Sequence, residues 1–353
     1  EHFGISPVSV SIMGMACAVC CRLFEHVRLE CDMVPGGGSN FSLAVVVGGQ
    51  QSLPVSFGYR PPNISSVRWA RGLASTEGGF MVEGLGADFG GGHAEVYIGS
   101  APCVGVTHVN GSNHTHIRCT APAGSGGQLS VTVTQHFALL FEGVADDGSA
   151  GDKGGGDDGD KGGGDDGGLK RMFEGVVGQN STKMNAFNYS APLVVGVSPA
   201  SGPTSGGFNV TITGANFGQH GCIAYIGPNE CLDVVRLNAS QVFCLAGGGG
   251  DVSVDVVVSH YPSHGSGVSQ TGRGGRLFSY DIPEVANASQ VSTQGGVVTV
   301  QGRHFGAAGD DVRVYVDDEN CTGVVHDVDR PSRMLTCRLG SGAGGGKLVV
   351  VEV

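Results

Sequence analysis

Positive charge is scarce in this chain. Its 353 residues include 20 Lys and Arg against 32 Asp and Glu, which gives a formal net charge of −12. Proteins that bind phosphate backbones need a basic stripe, so this balance argues against a nucleic-acid partner. Half of the net charge comes from residues 145–168, where eight Asp and two Lys are set among glycines.

Long apolar runs and helical patterns are also missing. No run of about eighteen apolar residues occurs, so we expect no membrane span in this segment. No window shows the spacing of an amphipathic helix, in which apolar residues recur every three to four positions. Short runs that alternate apolar and polar residues do occur, as in residues 129–135 and 252–258, and they predict strands with one buried face.

Catalytic signatures are absent too. The sequence has no Gly-x-Ser-x-Gly elbow, no phosphate-binding loop and no recurrent pair of acids. Asp88-Phe89-Gly90 matches a kinase motif, but the Phe-Gly pair recurs elsewhere without the Asp. We therefore expect no enzymatic activity, no catalytic residue, no metal site, and no cofactor other than N-linked glycans.

What the chain does contain is a long internal repeat. A Phe-Gly pair that is followed by a strand-like run and two cysteines occurs four times, at Phe3, Phe89, Phe217 and Phe305. A repeat of this length marks an array of like modules. Three units close on an aromatic-x-Tyr strand that precedes a proline, at Tyr59, Tyr189 and Tyr280.

The spacing of these marks predicts the domain organisation. Units of about 90 residues with short alternating strands are typical of antiparallel β-sandwiches. We expect a partial domain at 1–60, a domain at 61–190, a domain at 191–281 and a partial domain at 282–353. The second domain has a Gly/Asp-rich insertion at 145–168, which we place between its last two strands.

The third unit carries a family resemblance. Residues 197–218, Val-Ser-Pro-Ala-Ser-Gly-Pro-Thr-Ser-Gly-Gly-Phe-Asn-Val-Thr-Ile-Thr-Gly-Ala-Asn-Phe-Gly, resemble the opening of an IPT/TIG domain. Residues 294–306 agree with it and residues 76–90 follow it more loosely, whereas the first unit lacks this opening. The resemblance implies an all-β chain of tandem immunoglobulin-like sandwiches with incomplete terminal units. We expect the ends to be completed by further polypeptide.

The cysteines are predicted to staple these units. One pair sits at the same place in each unit, after the third strand, and this arrangement resembles the TIG repeats of fibrocystin-like ectodomains. The predicted disulfides are Cys17–Cys31, Cys103–Cys119, Cys231–Cys244 and Cys321–Cys337. Each closes a loop of about fifteen residues, worth about 3 kcal/mol in the chain-entropy model. Three cysteines, Cys20, Cys21 and Cys222, are left without an assigned partner.

Three local clusters have alternative interpretations. The spacing of the first unit's four cysteines and His26 would suit a zinc site. The repeat instead favours the Cys17–Cys31 disulfide. Residues 108–116 hold three histidines that could bind a metal, although a solvated loop under a glycan is the simpler interpretation. The acidic insertion could collect Ca²⁺, yet it lacks the closing Glu of an ordered calcium loop and is typical of a flexible linker.

The asparagines indicate the compartment. Ten of the thirteen begin an Asn-x-Ser/Thr sequon, where chance would give roughly two. The sequons begin at Asn40, Asn63, Asn110, Asn113, Asn180, Asn188, Asn209, Asn238, Asn287 and Asn320. Such sites accept glycans only in secreted chains, where disulfides also persist. We expect an extracellular or cell-surface location.

Together these features predict a structural role. The chain is expected to be a segment of a long glycoprotein that builds a filament or a surface coat, similar to an algal or protist flagellar hair. Its expected partners are other copies of itself or neighbouring repeats of the same chain. A ligand-binding receptor or adhesin ectodomain is the alternative. Accessory domains of a carbohydrate-active enzyme come next, and an intracellular transcription factor is disfavoured by the sequons and the acidity.

Overall fold

The computed structural model describes residues 8–12, 15–16, 21–24, 28–31, 37–70, 74–112, 114–136, 178–219, 221–263 and 267–353. Every regular element within these ranges is a β-strand, and no helix occurs among them. The prediction of an all-β fold is therefore confirmed. The search for a helix long and apolar enough to cross a membrane found none in the same ranges.

The first unit forms one antiparallel sheet and a separate hairpin. In the sheet the order is β2-β1-β5-β6, with β7 also paired to β5, and the hairpin joins β3 to β4. The strands are β1 (Val8–Ile12), β2 (Met15–Ala16), β3 (Cys21–Phe24), β4 (Arg28–Cys31), β5 (Phe41–Val47), β6 (Gln50–Gln51) and β7 (Val55–Phe57).

The second domain is a sandwich of two four-stranded sheets. The strands are β8 (Asn63–Trp69), β9 (Met81–Ala87), β10 (Ala94–Ile98), β11 (Ala101–Pro102), β12 (Val104–His108), β13 (His116–Thr120), β14 (Leu129–Gln135) and β15 (Gln179–Phe187). One sheet has the order β12-β13-β9-β8 and the other β11-β10-β14-β15. The insertion at 145–168 falls between β14 and β15 along the chain and lies outside the described residues.

The third domain repeats this plan. Its strands are β16 (Leu193–Ser198), β17 (Ser201–Gly202), β18 (Asn209–Ala215), β19 (Cys222–Ile226), β20 (Asn229–Glu230), β21 (Leu232–Asn238), β22 (Gln241–Leu245), β23 (Val254–His260) and β24 (Gln270–Tyr280). The sheets have the orders β16-β18-β22-β21 and β17-β24-β23-β19-β20. Alternate residues of β23 point into the core, so Val254, Val256 and Val258 are buried.

The fourth domain has one continuous path of six strands, in the order β25-β26-β29-β28-β27-β30. The strands are β25 (Glu284–Ala288), β26 (Gly296–Arg303), β27 (Arg313–Val316), β28 (Glu319–His326), β29 (Met334–Leu339) and β30 (Val349–Glu352). The first half of β28 pairs with β27 and its second half mainly with β29, so this strand passes from one layer to the other.

The Phe-Gly mark is the turn that closes one sheet over the core. In the third domain Phe217 is fully buried, and its N–H donates to the Ala239 carbonyl at 3.0 Å. Asn216 before it has a φ of +58°, a conformation that Asn tolerates better than most residues. Phe89 and Phe305 are buried in the same way, after Asp88 and His304 with φ values of +58° and +62°.

In the second and third domains the aromatic-x-Tyr pair at the end of the closing strand is buried in the core. The Tyr280 hydroxyl donates to the Gly247 carbonyl and the Tyr189 hydroxyl to the Pro122 carbonyl, both at 2.8 Å. Each acceptor lies three residues after the second cysteine of its domain, so one bond ties the last strand to the same turn in both domains. The single tryptophan, Trp69, packs on Phe187 of its own sandwich, with ring centroids 4.7 Å apart.

The Phe-Gly turn also requires a glycine at position 214, and this requirement leads to a prediction about stability. A Cβ on Gly214 would lie 1.9 Å from the Leu193 carbonyl oxygen on the paired strand. We expect Gly214→Ala to lower the free energy of unfolding of the third domain by about 2–3 kcal/mol, because the backbone must shift. Chemical denaturation followed through the domain's own transition would measure this.

The matched control is Gly340→Ala. Gly340 is exposed, and an added Cβ there would meet nothing within 4 Å. We expect a change within about 0.5 kcal/mol. Equal effects of the two substitutions would show that the close approach at Gly214 does not matter.

Candidate functional site

The places where consecutive domains meet form the most distinctive polar sites of the structure. Each connection from one Tyr-ended strand to the next domain has three residues and ends in proline, at 60–62, 190–192 and 281–283. So short a connection brings the end of one sandwich against the start of the next. We call the contact between the second and third domains the middle joint, and that between the third and fourth domains the last joint.

A glutamine at the start of the closing strand ties the second domain, and likewise the third, to the unit before it. Gln270 donates its side-chain N–H to the Tyr189 carbonyl at 2.9 Å across the middle joint. Gln179 does the same to the Tyr59 carbonyl at 3.0 Å, and its oxygen accepts the Gly38 N–H at 3.1 Å. The two glutamines hold equivalent positions in β15 and β24, so the contact is a repeated feature.

A buried threonine lies beside the Phe-Gly turn of the following domain at both joints, but its hydroxyl bonds to that turn only at the last joint. At the last joint the Thr204 hydroxyl accepts the Gly306 N–H at 2.9 Å, and Thr204 has no exposed surface. At the middle joint the equivalent Thr76 is also fully buried, and its carbonyl accepts the side-chain N–H of Gln219 at 3.1 Å. Thr76 and Thr204 each stand two residues before a Gly-Gly pair.

The middle joint has further bonds. Ser125 N–H donates to the Ser263 hydroxyl at 2.8 Å, and the Ser125 hydroxyl donates to the Tyr261 carbonyl at 2.7 Å. Gly127 and Val268 exchange two backbone bonds of 2.9 Å, which form a short antiparallel bridge between the domains. Buried hydrogen bonds of this kind are costly to leave unmade, so they hold the two domains in one orientation.

The cysteine pairs have different outcomes. Cys321 and Cys337 form a disulfide with Cα atoms 5.6 Å apart. Cys103 and Cys119, and likewise Cys231 and Cys244, lie side by side between the two sheets of their sandwiches but are present as thiols. The structure therefore shows the predicted covalent bond at one of these three places, and the other two remain predictions.

Contact between the paired thiols changes their acidity. The hydrogen bond to Cys119, together with burial, raises the pKa of Cys103. The hydrogen bond between Cys231 and Cys244 lowers the pKa of Cys231 and raises that of Cys244, as expected where one sulfur donates and the other accepts.

The described residues include only two of the first unit's four cysteines, Cys21 and Cys31. Cys17 and Cys20 lie outside the described residues, as does His26, so neither the predicted Cys17–Cys31 disulfide nor the zinc alternative can be followed there. The backbone register of β3 and β4 places Cys21 opposite Cys31. Cys222 lies on β19 and is half-buried.

The sequons lie at the surface. Asn113 is outside the described residues, and every other sequon asparagine is exposed, namely Asn40, Asn63, Asn110, Asn180, Asn188, Asn209, Asn238, Asn287 and Asn320. Asn209 is exposed while Val210 next to it is fully buried, as the alternation of β18 predicts. All nine positions are therefore sterically open to a large substituent.

The histidine loop of the second domain does not come together as a metal site. His108 bonds to the Gly92 carbonyl at 2.9 Å, and His116 lies 3.6 Å from a Glu83 carboxylate oxygen. Across the described parts of the chain no group of three or more potential ligands could hold a metal ion. The acidic insertion, where the calcium alternative would lie, is outside those parts.

The joint residues were not found from the sequence. A signal for them exists, because Gln179 and Gln270 precede the aromatic-x-Tyr strands of neighbouring units, and Thr76 and Thr204 precede the Gly-Gly pairs. Position alone does not show that these side chains face another domain, since a buried Thr and a half-buried Gln have many other uses in a sandwich.

Comparison with known proteins agrees with this architecture. The sequence profile of the IPT/TIG domain matches residues 62–144, 192–280 and 283–353. Human plexin-B1 is 30% identical over 141 residues, which cover 37% of this chain and 6% of that protein. Mouse fibrocystin-L is 26% identical over 179 residues, which cover 48% of this chain and 4% of that protein. The chain thus spans a small part of either relative.

A solved structure of the full extracellular region of plexin A4, covering domains 1 to 10, is also similar. It shares 16% identity over 96% of this chain and 31% of its own, with a TM-score of 0.27. The resemblance seen in the sequence is confirmed by the profile. Because the three matched segments cover more than half of its length, this chain belongs to the IPT/TIG domain family.

Proposed function

We propose that this chain is a structural segment of a long extracellular glycoprotein, in which IPT/TIG sandwiches are joined into a stiff, glycan-coated rod that builds a filament or surface coat. The observation that carries the proposal is the set of repeated joints. A three-residue connection occurs at each contact, a glutamine bonds to the previous unit at the first two contacts, and the Thr204 hydroxyl holds the Phe-Gly turn at the last. These features restrict bending at successive contacts. A flagellar hair is the specific kind of filament we propose.

The extracellular location is part of the proposal. It is supported by nine exposed sequons and by a disulfide that joins the two layers of the fourth domain. Glycans at these positions would keep neighbouring rods from associating through exposed strand edges. The partners we propose are other copies of the chain or neighbouring repeats, which would meet where no glycan projects.

A ligand-binding receptor or adhesin ectodomain is the second candidate. The sequence similarity to plexin-B1 and fibrocystin-L favours it, since the chain resembles fibrocystin-like ectodomains. The two candidates differ in self-association. Electron microscopy of the native material would show regular polymer contacts for a filament protein, and separate molecules for a receptor.

Rod stiffness depends on the joints, which gives a mutational prediction. Thr204→Val keeps the shape of the side chain but removes the acceptor of the buried Gly306 N–H. We expect the last joint to lose about 1–3 kcal/mol of stabilisation. Hydrogen exchange of the Gly306 amide should accelerate, and small-angle scattering should show a less extended molecule.

Thr293→Val is the matched control for this substitution. Thr293 holds the equivalent place in the fourth domain and is exposed. The control should leave exchange at Gly306 and the scattering profile unchanged. A wild-type molecule that bends freely at neutral pH would contradict the rod itself.

Glycosylation can be tested residue by residue. The chain is produced in a secretory host and treated with a peptide-N-glycosidase, which converts each glycosylated Asn to Asp. We expect conversion at the exposed sequons, with Asn185, Asn216 and Asn229 unchanged because they begin no sequon. Secreted material whose mass does not change on treatment would refute the glycoprotein proposal.

The thiol pairs give a redox prediction. In secreted material we expect Cys103–Cys119 and Cys231–Cys244 to be oxidised, because each pair is already in contact in the core. Each bond should add about 3 kcal/mol to its domain. Peptide mapping without reduction would identify them, and recovery of Cys231 bonded to Cys222 would show that the pairing is wrong.

A further inference from the structure

His260 is buried at the middle joint without a hydrogen-bond partner. It is the last residue of β23, it has no exposed surface, and neither of its ring nitrogens has a partner. Most buried polar groups in proteins are hydrogen-bonded, so an unpartnered imidazole at a domain boundary calls for an explanation.

The surroundings of His260 come from both domains. A Cβ added to Gly218, in the Phe-Gly turn, would lie 3.0 Å from the His260 Cβ and 3.3 Å from the Ser125 Cβ of the preceding domain. Gln270, the register partner of His260 on β24, reaches across to the Tyr189 carbonyl. The ring is therefore shielded from water by the closed joint.

No charge of opposite sign faces the ring among these neighbours. On β19 its register partner is Cys222, whose pKa is raised by burial, so the thiol is neutral. On β24 the partner is Gln270, and across the joint lie Ser125 and the carbonyl of Ser190. Burial lowers the pKa of His260, and the carbonyls of His260 and Ser190 offset only part of that effect.

The same position is filled differently in the other domains. The register of the equivalent strands places Gln135 there in the second domain, and Val353 follows directly after the equivalent strand of the fourth. Val353 contacts the last joint, since a Cβ on Gly306 would lie 3.2 Å from its Cγ1. The same point of the last joint holds Val353 and the Asp310 carboxylate, so of the two joints only the middle one has an imidazole there.

We propose that His260 makes the middle joint acid-sensitive, so that proton uptake by its ring in mildly acidic surroundings releases the third domain from the second while the last joint stays closed. The inference rests on the proposed role of the joints in keeping the rod straight. It gives the rod one site at which it becomes flexible when the pH falls.

The direction follows from linkage. In the open joint the ring is in water with an ordinary pKa of about 6.5, and in the closed joint it titrates lower. The neutral ring's contribution to the free energy of closing is complete when the pH is above the pKa of the open joint. It is lost as the pH falls through that pKa towards the lower pKa of the closed joint. Between pH 7.5 and pH 5.0 the opening constant should rise by up to about thirty-fold.

Hydrogen exchange on the full chain tests this. The amides of Gly127 and Val268, which bond to each other across the middle joint, report its opening, and the Gly306 amide reports the last joint. After correction for intrinsic exchange rates, protection at Gly127 and Val268 should fall at pH 5.0 and that at Gly306 should not. The matched variant is His260→Gln, the residue that the second domain already buries here.

The outcomes separate the two proposals. If His260→Gln retains its protection at pH 5.0 while the wild type loses it, the inference holds. Equal loss in both proteins, or no loss in either, overturns it. An unprotected middle joint already at pH 7.5 would instead contradict the rod. Should the variant fail to fold, an NMR titration of the wild-type ring decides, and a His260 pKa at or above the ordinary value overturns the proposal.

Discussion

The packing of the Phe-Gly turn's phenylalanine ring in the core is the interaction on which the rest of the structure depends. Phe217 can reach the core only because Asn216 takes a positive φ and because Gly214 lets the neighbouring strand approach. Once the ring is buried, the glycine that follows it is fixed at the end of the sandwich. That glycine is the point of contact with the preceding domain, so core packing within one unit sets the geometry between units.

Much of this could be predicted from the sequence, for a physical reason. The Phe-Gly turn and the alternating runs are local patterns that recur in all three matched domains, and the aromatic-x-Tyr strand closes two of those domains. The sandwich follows from these patterns. The exposure of Asn209 follows from strand alternation. These features depend on neighbours that are close in sequence or on one buried face.

The joints could not be predicted, because their partners are far apart in sequence and polar. Gln270 meets Tyr189 across 81 residues and Thr204 meets Gly306 across 102 residues. The presence of a glutamine or a threonine in the sequence does not predict that its partner is a backbone group of another domain. The cysteine pairs stand between these cases: the repeat locates both members, but whether two adjacent sulfurs are bonded depends on the redox conditions of the compartment as well as on geometry.

The array also shows why domains of the same fold can form joints with different properties. One position at the end of a core strand, next to the Phe-Gly turn, holds Gln135 in the second domain, His260 in the third and Val353 in the fourth. Residues this different fit there because the position lies at the rim of the core. A rim position contributes little to the fold of its own domain and much to the contact with the next. A substitution at this position can therefore change the stability of one joint without changing the fold of the repeated domain, because the residue contacts both domains.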